Sequence, residues 1–179
     1  SGWVKKAKID SSLYLFATDY SDTSNLFYIN VRASHATEGK NYTGELVWRF
    51  GSTTTRSLRT EQKFRDCGAW MHICAVCDTG NATNTNRLRL YVNGEEITSF
   101  STDERSTISQ NDDLALNRAG VHEIGAWNGA GQTDGYLAEM YFIDGQALTP
   151  ASFGETSSTT NQWIPLDSDD VKDAVTFGT

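Results

Sequence analysis

The stretch LRLYVNGEEITSF, residues 88–100, decides the fold. Leu88, Leu90 and Val92 alternate with Arg89 and Tyr91, an Asn93-Gly94 dipeptide follows, and Ile97 returns the chain. Asn-Gly accepts the two positive φ angles of a type I′ turn, whose twist suits two antiparallel strands, so the segment predicts a β-hairpin. With a two-residue loop, Val92 faces Glu95, Tyr91 faces Glu96, Leu90 faces Ile97 and Arg89 faces Thr98, which sends Leu90 and Ile97 to one core. Phe100 falls on the other parity and calls for either a bulge or a second covered face.

Working outward from the hairpin, strand-like text recurs as SLYLFAT, NLFYINVRAS, GELVWRF, WMHICAVCD, VHEIGAW and DGYLAEMYFIDG, parted by Asn, Asp, Gly, Ser and Thr clusters such as DTGNATNTN and SQNDD. NLFYINVRAS places Phe27, Ile29, Val31 and Ala33 on one face and Tyr28, Asn30 and Arg32 on the other, the pattern of a sheet with one wet face. MHICAV is apolar on both faces, the pattern of a central strand covered on both sides. No window keeps helical periodicity for three turns, although TPASFGE can begin one short turn at Pro150. The fold class is therefore all-β, a two-sheet antiparallel β-sandwich with minimal helix. Residues 1–150 are expected to form the sandwich core and residues 151–179 a C-terminal strap returning over it within the same domain, with Trp163-Ile164 as anchor. Strand-like text at both ends, SGWVKK and DAVTFGT, leads us to expect a longer parent polypeptide or a mature cleaved chain.

The 179 residues carry a net charge of −8 and 11% aromatic side chains, a globular profile that repels a phosphate backbone. Nucleic acid is not an expected partner. Neither is a membrane, since the chain lacks the run of about 18 apolar residues that a spanning helix needs. Cys67, Cys74 and Cys77 cannot all pair within one chain. In a strand, Cys74 and Cys77 stand about 10 Å apart on opposite faces, so they read as small buried hydrophobes and not as a redox or zinc pair.

The ordered set SGWVKK, AWMHI, LYVNG, IGAW, DGYLAEMYFIDGQALTP and FGE resembles the laminin G-like branch of the concanavalin A-like jelly rolls, as found in structural proteins of marine and cyanobacterial phages. The resemblance spans most of the chain. It implies a jelly-roll sandwich built into a virion component, such as a tail fibre, tail spike, head fibre or capsid-decorating protein. The implied partners are other virion proteins, copies of the chain itself and host-surface glycans. The chain departs from the pattern at CGAWMHICAVC, where cysteines stand in place of more ordinary Pro, Val or Leu choices.

Chemistry offers little. Glycoside hydrolysis needs two carboxylates about 5–10 Å apart in a cleft. Hydrolases of this shape mount them as E-x-D-x-E or E-x-D-x-x-E on one strand, and neither string occurs. Glu95 and Glu96 are neighbours and so face opposite ways, while Glu139, between Leu137 and Tyr141 on one strand face, reads as partly buried and paired. His35, His72 and His122 form no metal motif, and His72 reads as a hydrogen-bonded core residue. No catalytic residue or cofactor is therefore expected. Calcium has one weak candidate, Asp78, in a loop whose composition Asx-turns explain as well. Asn41 and Asn81 head glycosylation sequons, which matter only in a eukaryotic secretory pathway. The best glycan-binding candidate is Trp127 with Asn128 and Asp134, an indole beside polar groups in a glycine-rich loop. The competing reading has Trp127 packing inward, as expected of Trp3, Trp48, Trp70 and Trp163. Two rival functions remain open beside the virion module: a free-standing lectin-like domain and a glycan-cleaving enzyme.

Overall fold

The computed structural model describes residues 1–18, 26–33, 44–51, 56–127, 129 and 131–176. In chain order the strands are β1 (Gly2–Lys6), β2 (Leu13–Thr18), β3 (Phe27–Val31), β4 (Glu45–Phe50), β5 (Arg56–Lys63), β6 (Met71–Cys77) and β7 (Leu88–Val92). They continue as β8 (Glu95–Glu96), β9 (Phe100–Asp103), β10 (His122–Ile124), β11 (Gly135–Ala138), β12 (Gly154–Thr156) and β13 (Trp163–Pro165). A five-stranded sheet has the order β11-β1-β6-β7-β8, a six-stranded sheet the order β10-β2-β3-β4-β5-β9, and β12 and β13 pair separately. The pairings are antiparallel.

The hairpin has the expected register: Val92 pairs with Glu95, Tyr91 with Glu96, and the Ile97 amide donates to the Leu90 carbonyl. Asn93 and Gly94 both take positive φ, 50° and 84°. At Phe100 the ladder does carry a register shift, between the Arg59–Thr102 and Thr60–Phe100 pairs, and a change of sheet comes with it. After Glu96 the chain leaves the five-stranded sheet, and Phe100 begins β9, pairing with Thr60 on β5 of the other sheet. A strand that changes sheets restarts its alternation, so the break marks a crossover.

The inter-sheet core takes Val4, Ile73, Leu88, Leu90 and Val92 from one sheet and Leu13, Leu15, Phe27, Ile29, Val31, Leu46, Trp48, Phe50 and Leu58 from the other. Strand β6 is covered on both faces, as its pattern predicts. Ile73 enters the core, while Cys74 and Val76 pack with Tyr91, Phe153 and Val171 on the outer side. Cys74 and Cys77 thus lie on opposite faces, and all three cysteines are unpaired. Burial pushes the Cys77 thiol up to about 12 and raises that of Cys74.

Three expectations need correction. The outer face of β3 is not wet, because Tyr28 and Asn30 are buried, with Tyr14, Val47 and Trp127 gathered around Tyr28. DGYLAEMYFIDG is not one strand: β11 ends at Ala138, and Glu139 turns the backbone at φ 48°. Glu139 is consequently exposed, though its carboxylate does accept from the Tyr141 hydroxyl at 2.5 Å. Trp70 is not core. It stands just before β6 and is 43% exposed, whereas Trp3 and Trp48 are buried.

Beyond Leu148 the chain crosses the outer face of the five-stranded sheet. A 3-10 turn starts at Pro150, and Phe153, Leu166 and Val171 pack on Cys74, Val76 and Tyr91. The helix α1 (Ser168–Asp173) is capped by Asp167, whose side chain accepts from the Asp169 amide. Trp163 settles against the tip of the hairpin. A Cβ on Gly94 or on Gly154 would lie 2.7 Å from its indole, so both positions leave room for hydrogen alone.

Candidate functional site

The outer face of the six-stranded sheet can be read from its register. Ala17, Tyr28, Arg49 and Ser57 form one cross-strand row, and Tyr14, Asn30, Val47 and Arg59 form another. Their neighbours Phe27, Ile29, Trp48 and Leu58 enter the core, and period-two alternation sends these rows outward. Tyr14 and Tyr28 meet edge to face at 6.0 Å, and the Trp127 ring stacks on Tyr14 at 5.6 Å and lies 5.7 Å from Tyr28. The result is an aromatic corner at the β10 edge.

The loop that delivers Trp127 is tied at several points. Gly125 and Gly129 take φ of 72° and 63°, the Gly129 amide donates to Glu123, and the Gly131 amide donates to the Trp127 carbonyl. Thr133 bonds both the amide and the carbonyl of Tyr14 through its hydroxyl, at 2.9 Å each. Burial raises the Tyr14 phenol above its ordinary range and keeps it neutral. Trp127 lies half-buried over the two tyrosines, packed against the small cluster of Ala17, Leu26, Tyr28 and Val47. Asp134 stands just before β11, in an ion pair with Lys8 at 3.0 Å. Asn128, His35 and Asn41 lie outside the described residues.

A second depression, polar and about 330 Å³, is lined by Asp78, Asp112, Asp113, Asn117 and Asp144 among others. Arg56 holds Asp112 and Arg118 holds Asp113, each at 3.0 Å, and Asp78 accepts from the Asn81 amide group at 3.3 Å. Calcium asks for six to eight oxygen ligands. Two carbonyls of the loop after Asp78, those of Asn81 and Ala82, accept from the buried Arg87 guanidinium, which also binds the Ile108 carbonyl. Among the described residues no group of three or more His, Cys, Asp or Glu is placed to hold a metal.

Glu45 is buried on β4 against Lys63 at 2.5 Å and Arg59 at 3.9 Å, and Glu95 and Glu96 stand exposed on the hairpin return. Tyr141, desolvated and bonded to Glu139, is pushed up to about 12. His72 is fully buried. Its Nδ1 accepts from the Trp163 indole at 3.0 Å, because an indole N–H only donates, so Nε2 carries the proton and donates to the Ser1 hydroxyl at 2.8 Å. The Trp3 ring lies 5.2 Å away. Burial lowers His72 to about 4. It is a satisfied core histidine, as its sequence context suggests, and its partner Trp163 was not legible across 91 residues.

A family model described as the concanavalin A-like lectin/glucanases superfamily matches residues 1–152. The chain belongs to this superfamily. Comparison with curated proteins gives no match, and comparison with solved structures gives none. The superfamily's description joins lectins, which bind sugars, to glucanases, which cleave them, so membership fits a carbohydrate-binding module and leaves enzyme and non-enzyme members on equal footing. In this member the most aromatic part of the outer sheet surface is the corner where Trp127 lies over Tyr14 and the buried Tyr28.

Proposed function

We propose that the chain is a non-catalytic carbohydrate-binding module. The observation that carries this reading is the half-open Trp127 indole, backed by Tyr14 and Tyr28 on an outer sheet face. An aromatic ring held flat by others loses little entropy on binding and offers a face to sugar C–H groups, while Arg49 and Glu123 nearby can serve hydroxyls. Substituting Trp127→Ala is expected to weaken binding to a glycan recognised by the native chain about tenfold, a difference of about 1.4 kcal/mol. Affinity electrophoresis in that glycan checks it. Equal mobility shifts for native chain and variant would remove Trp127 from the site.

The finer part of the reading is that the module belongs to a phage virion, where it contacts other virion proteins, copies of itself and glycans of the host surface. Support comes from the ordered motif set from SGWVKK to FGE and from an acidic charge that disfavours adhesion to DNA. Mass spectrometry of purified particles is the test. Peptides of this chain at stoichiometric copy number are expected, and their absence would leave a free-standing lectin-like domain.

A further inference from the structure

A second aromatic surface lies on the other sheet. Val4 of β1 points into the core, so Lys5 points outward, and its partner across the β1–β11 ladder is Tyr136. On the other side of β1, Val4 pairs with Met71, which puts Trp70 at the level of Lys5. Trp70 and Tyr136 thus flank one strand from opposite sides. Their ring centroids are 6.4 Å apart with planes inclined at 55°, and they are 43% and 60% exposed.

These rings continue a stripe that the C-terminal segment only half covers. Trp3 and His72 come next along the same face and are buried, with Trp163 stacked on His72 at 5.9 Å. The cover ends there. Asp134 lies two residues before Tyr136, where the Ala7 amide donates to its carbonyl and extends the ladder, so Asp134 shares the outer face. Its ion pair with Lys8 is exposed on both sides.

We infer that Trp70 and Tyr136, with Lys5 and the Lys8–Asp134 pair at the rim, form a second glycan subsite on the five-stranded sheet. The inference rests on the carbohydrate-binding reading but uses none of the residues around Trp127. Ring faces beside exposed charged hydrogen-bonding groups suit a ligand that is apolar on one side and rich in hydroxyls at its edge. Because the rings are inclined, a flat crystalline polysaccharide cannot lie on both, and the ligand class is a soluble oligosaccharide chain. Asp134, named in the sequence beside Trp127, belongs on this view to the other sheet's site.

The test is a titration of ¹⁵N-labelled chain with soluble hexasaccharides of β-1,4-linked glucose, mannose, xylose and galacturonate, following the tryptophan indole N–H signals. Trp70→Phe assigns one signal and Trp127→Phe another. Movement of the Trp70 signal, with about tenfold weaker binding in the Trp70→Ala/Tyr136→Ala double variant as followed by the Lys5 backbone amide, is the expected result. Movement of the Trp127 signal alone, with the double variant binding as the native chain does, overturns this subsite and leaves the first reading standing. No movement of either signal with any hexasaccharide overturns both. Both substituted side chains are exposed, and circular dichroism verifies that the double variant folds.

Discussion

Gly94→Val is expected to lower the stability of the folded chain by about 2–5 kcal/mol. Two costs add at this position. The φ of 84° is open to glycine and strains a β-branched residue by about 1–2 kcal/mol. The new Cβ would also stand 2.7 Å from the Trp163 ring, and overpacking of this kind costs about 1–3 kcal/mol more. The indole cannot simply swing aside, because it also lies against Gly154 and donates to His72. The substitution therefore strikes both the hairpin turn and the contact that docks the C-terminal segment. Urea denaturation of native chain and variant measures the difference, and an unchanged midpoint would show that Trp163 does not rest on the hairpin tip.

His72 makes stability fall with acid in a window above the range where most carboxylates titrate. The buried imidazole is neutral, with about 4 as its folded value against about 6.5 in an unfolded chain. Below pH 6.5 the unfolded state therefore binds the proton that the folded state refuses. The contribution is complete above about pH 6.5, falls by about 2 kcal/mol at pH 5, and is down by about 3 kcal/mol at pH 4, where the folded form also begins to titrate. Denaturation at pH 7.5, 6, 5 and 4 should show this slope. His72→Gln keeps an acceptor for the Trp163 indole but removes the titration, so its stability should be nearly flat from pH 6.5 to 5. A native chain with no slope there would mean that the imidazole is charged or exposed.

The parts of the fold legible in the sequence were those set by local rules. Asn93-Gly94 fixed a turn type, the turn fixed the register from Val92 to Ile97, and the doubly apolar MHICAV stretch marked a strand covered on both faces. Long-range effects were not legible. Tyr28 and Asn30 look like a wet face because the Trp127 loop that closes over that side of β3 comes about a hundred residues later. Strand β5, RSLRTEQK, gives almost no hydrophobic signal, since Leu58 is its one large aliphatic residue and its other face carries Arg59. Phe100 did carry a signal in its broken parity, but a change of sheet reads the same as a bulge until β5 is in view.

The candidate site was legible to a similar degree. Trp127 could be singled out by its glycine-rich loop, yet Tyr14 and Tyr28 were indistinguishable from other strand aromatics, and their meeting depends on the β2–β3 register. Trp70 sits in text that looks like a strand interior, AWMHIC, and only the end of the C-terminal cover at Trp163 leaves it open. Asp134 looks in sequence like part of the Trp127 loop, and its place just before β11 with an ion pair to Lys8 is visible only in the fold.

A glycan array probed with the intact chain, with reducing ends assayed in the same wells, tests the central claim of non-catalytic carbohydrate binding. Retention on at least one glycan class with no release of reducing ends is the predicted result. Failure to bind any glycan, or steady release of reducing ends from one that is bound, would contradict it.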